Sequence, residues 1–143
     1  KAGGAEVMTD RKIDMEAVIQ HTDYEGLDII TANMNLSTAN LSVMLDQSRP
    51  QQTRFKRALQ QVAGQYDFCI IDNAPDINIS TINALVASDD VIVPITIDDF
   101  SLDGLEELTE QIENAREELN QDTAGLHCSC MFCHFFFFID INI

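Results

Sequence analysis

The stretch Tyr66-Asp67-Phe68-Cys69-Ile70-Ile71-Asp72-Asn73-Ala74-Pro75 decides the fold. Four apolar residues in succession, Phe68 to Ile71, suit a strand covered on both faces of a parallel sheet. The run closes on a carboxylate, Asp72. A second apolar run, Val91-Ile92-Val93-Pro94-Ile95, follows, with Pro94 near its end. Between them, Asn78 to Ser88 carries Ile79, Ile82, Leu85 and Val86 at helical spacing. Strand, helix and strand make a βαβ unit, so the expected class is α/β, a partial parallel sheet flanked by helices. Ligands of such sheets bind beyond the carboxyl ends of the strands. Asp72 stands at that end of the first run, and Asp98 and Asp99 follow the second.

Working outward, Ser101 reads as the N-cap of a helix to about Asn120. Its Leu102, Leu105, Leu108, Ile112, Ala115 and Leu119 form an apolar stripe, and Glu106, Glu107, Glu110, Glu113, Glu117 and Glu118 cover the other side. Upstream, Pro50 suits the first turn of a helix running to about Gly64, with Phe55, Ala58, Leu59 and Val62 inward. Asn35 to Leu45 reads as a helix with Leu36, Leu41, Met44 and Leu45 as its apolar set. Leu27 to Thr31 reads as a short strand after Gly26, and Ile13 to Gln20 as a short helix with Met15, Val18 and Ile19 inward. Residues 1–12, polar and without a period, read as a loose end. His21 and His127 have no visible partner, and Cys69 reads as a small buried hydrophobe.

The chain has 143 residues, of which 45% are hydrophobic, enough for one domain with a real core. It carries 24 acids against 8 bases, a net charge of -16. A broad nucleic-acid surface needs clustered Lys and Arg, so the balance argues against one on these residues. The charge is uneven. Residues 1–64 hold 8 acids and 7 bases, whereas residues 65–143 hold 16 acids and the single base Arg116. Arg49, Arg54, Lys56 and Arg57 fall close together, and the plain reading of them is a solvated helix face, the alternative a phosphate or partner contact. No secretory signal and no apolar run long enough for a membrane span are present, so the expected compartment is a reducing cytoplasm.

An apolar strand ending in Asp has the form of a Walker B motif, in which the strand fixes the carboxylate at the sheet edge, where it holds water on a Mg²⁺ bound to nucleotide phosphates. Alone, the motif has a plainer reading, because Asp also starts turns and caps helices. The longer string is more specific. Tyr66 to Pro75, Ile82-Asn83-Ala84-Leu85-Val86-Ala87-Ser88-Asp89-Asp90, Val91 to Ile95 and Phe100-Ser101-Leu102-Asp103-Gly104-Leu105 closely resemble, in order and spacing, the ParA/MinD-type partition ATPases, nearest to the Soj-like ParA proteins. Asp23 to Asn33 resembles the strand before that family's Leu-rich helix. The resemblance covers roughly residues 13–120, and residues 13–125 read as a partial domain of this type.

The resemblance implies a truncated P-loop NTPase-like fold of the deviant-Walker type. It implies ATP and Mg²⁺ as cofactors of the parent, an ATP-sandwich homodimer, nonspecific DNA binding and a centromere-binding partner in plasmid or chromosome partitioning. By motif position, Asp72 would be the catalytic and Mg²⁺-linked carboxylate. Asn73, Pro75 and Asp76 would belong to the switch segment that responds to the γ-phosphate. Two departures stand out. Ala74 replaces the first proline of the family's pair, and no Gly-rich loop with Gly-Lys-Ser/Thr occurs, Gly3-Gly4 lacking what must follow. The expectation is therefore an internal fragment that does not hydrolyse ATP alone.

Residues 126–143 break the pattern. Cys128-Ser129-Cys130-Met131-Phe132-Cys133-His134 contains C-x-x-C-H, a haem-attachment spacing with four potential Zn²⁺ ligands, yet a run of Phe135 to Phe138 follows at once. The preferred reading is a frameshifted or incidental end. Two alternatives from other classes stay open. One is a receiver-type phosphoacceptor domain, with Thr96 near its later strand; the other is a non-catalytic protein-binding module.

Overall fold

The structure, a computed structural model, describes residues 2–32, 34–74, 78–94, 109–110, 113–114, 117, 126–129 and 135–140. The first element corrects an expectation. Within residues 1–12, read as a loose end, Gly4–Thr9 is a helix, α1. Glu6 Oε2 accepts from the Gly3 amide at 2.7 Å, and the Gly4 amide donates to the Thr31 carbonyl at 3.0 Å. Ala5, Val7 and Met8 are buried. A helix this short shows no period in the sequence, and burial against the rest of the domain supplies what propensity does not.

Helix α2, Met15–Val18, buries Met15 and Val18 as its spacing predicts, and the Asp14 side chain caps it by accepting from the Glu16 amide. Strands β1, Gln20–His21, and β2, Asp28–Ile29, form a small antiparallel ladder. The turn between them uses Gly26 at φ 76°, and Thr22 Oγ1 donates to the Leu27 carbonyl at 2.6 Å.

Helix α3, Asn35–Leu45, has the expected span but turns a different face inward. Ala39 and Val43 are buried and Leu36 packs beside them, whereas Leu41, Met44 and Leu45 are 58%, 60% and 73% exposed. Positions 36, 39 and 43 form one stripe, and Met8 of α1 packs with Val43 and Leu36 of it. Helix α4, Arg54–Leu59, is shorter than the expected run from Pro50 to Gly64, and a 3-10 turn at Ala63–Gln65 follows it. Its inward set is nevertheless as read: Ala58 and Val62 are buried, with Phe55 and Leu59 packed against them.

Strand β3, Phe68–Asn73, helix α5, Ile79–Ala87, and strand β4, Asp90–Pro94, follow in the expected order. Strand β5 is Leu126–Ser129 and strand β6 is Phe135–Asp140. The sheet order is β3-β6-β4-β5. β4 and β5 are parallel, and β6 runs antiparallel to both β3 and β4. Thus β3, β4 and β5 share one direction, and β6 is the exception to the expected parallel sheet. β3 is also not covered on both faces: Phe68 and Ile70 are 60% and 56% exposed. Its run of apolar residues did not distinguish a strand with one open face from a buried one.

Two apolar clusters join the helices. Val7, Met15, Val18, Ala58 and Val62 unite α1, α2 and the α4 region. Met8, Val43 and Ile79 unite α1, α3 and α5, with Phe55 bridging both. Of the expected helix 101–120, only Thr109, Glu110, Glu113, Asn114 and Glu117 lie within the described residues, all helical, and the three glutamates are exposed.

Candidate functional site

The sheet places Asp72 and Asn73 at the carboxyl end of β3, just before the connection to α5. Asp72 is exposed, and its carboxylate has no hydrogen-bond or ion-pair partner among the described residues. Asn73 is half-buried and its Nδ2 donates to the Ile71 carbonyl at 3.1 Å, within its own strand. Pro75, Asp76, Asp98 and Asp99 lie outside the described residues. Where the chain enters α5, Asn78 Oδ1 accepts from the Ser80 amide at 2.9 Å and the Thr81 amide at 3.1 Å. This N-cap satisfies the first amides of α5.

A single exposed carboxylate cannot hold a metal ion by itself, and the described residues contain no group of three or more His, Cys, Asp or Glu with that geometry. The arrangement fits a carboxylate that touches a metal's bound water, with the other contacts supplied by phosphate oxygens and waters. Asp72, exposed at the strand end, is compatible with an outer contact to a hydrated Mg²⁺.

Three hydrogen-bonded groups support this frame, and the sequence reading missed all three. Asn83, fully buried in α5, accepts at Oδ1 from the Arg54 amide at 2.8 Å and the Phe55 amide at 3.3 Å. Its Nδ2 donates to the carbonyls of Gln51 at 2.7 Å and Ile79 at 2.8 Å. One side chain on α5 therefore caps the start of α4, which lacks a capping side chain of its own. The signal was present: a polar residue among Ile82, Ala84, Leu85 and Val86, on a face that should bury.

The second group corrects the reading of the basic cluster. Arg54 is buried, not solvated. Its Nη2 donates to Asp46 Oδ2 and its Nη1 to the Met8 carbonyl, each at 2.9 Å. Arg49 Nε donates to the same Asp46 oxygen at 2.9 Å, and its Nη2 reaches the Thr9 carbonyl. Two guanidinium groups thus satisfy the last carbonyls of α1 and meet on the carboxylate that ends α3. Hydrogen bonds from Ser48 and the arginines hold Asp46 well below the usual carboxylate range. Burial lowers Arg54 from its ordinary value.

The third group gives His21 a partner that the sequence did not show. His21 Nδ1 lies 2.8 Å from Asp28 Oδ1, and Tyr66 donates to Asp28 Oδ2 at 2.7 Å. The contacts lower the Asp28 carboxyl, and the Asp28 carboxylate pushes the Tyr66 phenol up to about 12. Tyr66, the first residue of the decisive stretch, therefore ties the small β1–β2 ladder to the entry of β3. Cys69 is half-buried, and burial pushes its thiol up.

A family model described as an AAA domain matches residues 5–124. Sporulation initiation inhibitor protein Soj of Bacillus subtilis is 38% identical over 109 residues. The chain belongs to the ParA/Soj-type family of AAA-domain proteins. The Soj match covers 76% of this chain and 42% of Soj. Chromosome partitioning protein ParA of Caulobacter vibrioides is 37% identical over 69% of this chain and 37% of its own length. Cell division protein PomZ of Myxococcus xanthus is 34% identical over 77% of this chain and 34% of its own. The chain thus spans less than half the length of these ParA/Soj relatives. Among solved structures, cobyrinic acid a,c-diamide synthase from Mycobacterium smegmatis, with bound ATP analogue and magnesium, superposes with a TM-score of 0.75 at 28% identity. That match covers 89% of this chain and 49% of the synthase. The fold is α/β and P-loop NTPase-like, as the sequence led one to expect. The AAA-domain match begins at Ala5 and so takes in all of α1 but its first residue. No helix among the described residues is long and apolar enough to cross a membrane.

Proposed function

We propose that these residues are the Walker B and switch-bearing part of a ParA-type partition ATPase. The observation that carries the reading is the place of Asp72, an exposed carboxylate at the carboxyl end of a strand whose sequence and fold are those of the ParA/Soj-type family. In this reading Asp72 orients a water on Mg²⁺, and Asn73, Pro75 and Asp76 form the segment that senses the γ-phosphate. Mg²⁺, when bound with ATP, neutralises charge on the transferring phosphate. The phosphate-binding loop is supplied outside these 143 residues, so this chain alone does not turn over ATP. An ATP-sandwich dimer, nonspecific DNA and a centromere-binding protein are the partners of the complete protein, acting in plasmid or chromosome segregation in the cytoplasm.

The test is a chimaera in which residues 5–124 replace the matched region of Bacillus subtilis Soj. The chimaera should hydrolyse ATP, and Asp72→Ala should lower the rate at least ~100-fold, the scale of losing a group that orients the reacting centre. A chimaera whose turnover survives Asp72→Ala unchanged would sink the assignment. ATP turnover by the purified 143-residue chain, abolished by Asp72→Ala, would overturn the claim that the loop lies elsewhere.

A further inference from the structure

β3 and β4 point the same way, α5 connects them, and one strand's width separates them. Adjacent strands lie about 4.8 Å apart, so two strands flanking one vacant place leave a slot about 10 Å wide, edged on both sides by unpaired amides and carbonyls. β6 fills that slot. It pairs with β3 from Phe68↔Asp140 to Asn73↔Phe135, and with β4 from Asp90↔Phe138 to Ile92↔Phe136. The ParA/Soj-type match stops at residue 124, before β6 begins, while β3 and β4 lie well inside it. The strand in this place is therefore not one that the family match provides.

We propose that the place between β3 and β4 is a strand-accepting site, and that residues 135–140 close it as a self-complementing plug. The direction of the plug matters. A strand parallel to β3 would bring its carboxyl end, and the loop after it, beside Asp72. β6 runs the other way, so Asp72 lies opposite Phe136, near the start of β6. With β6 in place, the strand paired with β3 presents its start, not its carboxyl end, beside Asp72. The inference rests on the backbone pairing and holds whether or not the partition reading is right.

The register supplies the test. Cys69 is directly opposite Ile139, and directly opposed residues of an antiparallel pair have the Cα spacing a disulfide needs. In a full chain carrying Cys128→Ser, Cys130→Ser and Cys133→Ser, the added change Ile139→Cys should yield an intrachain disulfide to Cys69 under copper-phenanthroline. Phe138→Cys in its place should not, because position 138 faces Ile70. Equal reaction at both positions, reaction at neither, or a disulfide-linked dimer would overturn the proposal. A labelled peptide of residues 134–141, with lysines added at both ends, probes exchange. It should bind the reduced Ile139→Cys protein at least ~10-fold more tightly than the disulfide-locked form, since entry requires the resident strand to leave. Equal binding to both forms would show that no strand-accepting site exists.

Discussion

Asp28 receives both His21 and Tyr66, and this residue makes a sharp prediction about Tyr66. The chain has two tyrosines, so Tyr24→Phe leaves Tyr66 as the sole phenol. Its ultraviolet titration should have a midpoint near 12, and Asp28→Asn should return it toward 10.0, because the strong hydrogen bond to a carboxylate, and with it the charge that opposes phenolate formation, is gone. A midpoint unmoved by Asp28→Asn would mean the contact is not made in solution. At the other end of the domain, adjacent glycines differ. A Cβ on Gly3 would sit 2.2 Å from the Thr31 carbonyl oxygen, whereas one on Gly4 meets nothing within 4 Å. Gly3→Ala should cost about 1–3 kcal/mol in urea unfolding, the usual scale of overpacking. Gly4→Ala should stabilise by about 0.5 kcal/mol through the unfolded chain's lost freedom. The sequence showed only a Gly-Gly pair; the approach of Thr31, just beyond β2, to Gly3 is a long-range fact.

At the scale of elements, α3 separates hydrophobicity from burial. Leu41, Met44 and Leu45 are larger than Ala39 and Val43, yet the smaller residues are buried. A hydrophobic residue tells which positions can be inside, not which are. Val43→Ala should cost about 2 kcal/mol by cavity formation. Leu41→Gln should change stability by no more than about 0.5 kcal/mol, as exposed substitutions do. The reverse ranking in thermal or urea unfolding would restore the face read from the sequence. α2, the α4 region and the βαβ order were legible because their periods were clear. β3 was legible as a strand, but its open face was not, since an unbroken apolar run carries no sign of which side is covered. The cap that Asn83 gives α4 was hidden for a different reason: donor and acceptor lie 29 residues apart.

For the whole molecule, the Asp46–Arg49–Arg54 group joins the ends of α1 and α3 to α4. Folding lowers the carboxyls of Asp46 and Asp28 below the ordinary 3.8. A carboxyl lowered by folding stabilises fully above its unfolded value, and that stabilisation is lost as pH falls through the folded value. Stability should therefore decline from about pH 4 downward, and in Asp46→Asn this acid limb should be shallower while the protein is weaker at pH 7. An acid limb of the same steepness in both proteins would count against the linkage. Arg54→Met, which leaves the Met8 carbonyl and Asp46 each short of a charged donor, should cost about 2–3 kcal/mol at pH 7. The net charge of -16 had made the few bases look like solvated residues. Two of them instead fasten helices together.

The sequence by itself determined the α/β class, the order of β3, α5 and β4, the family, and the position of Asp72 at a strand's carboxyl end. These are local properties: periodicity, punctuation and motif spacing lie within a few tens of residues. Only the tertiary structure decided which face of α3 is buried, that Arg54 is an internal anchor, that Tyr66 and His21 share Asp28, and that β6 lies between β3 and β4. Each of these depends on segments far apart in the chain meeting in space, and on a backbone edge that any extended strand can complete, so no pattern within one segment encodes it.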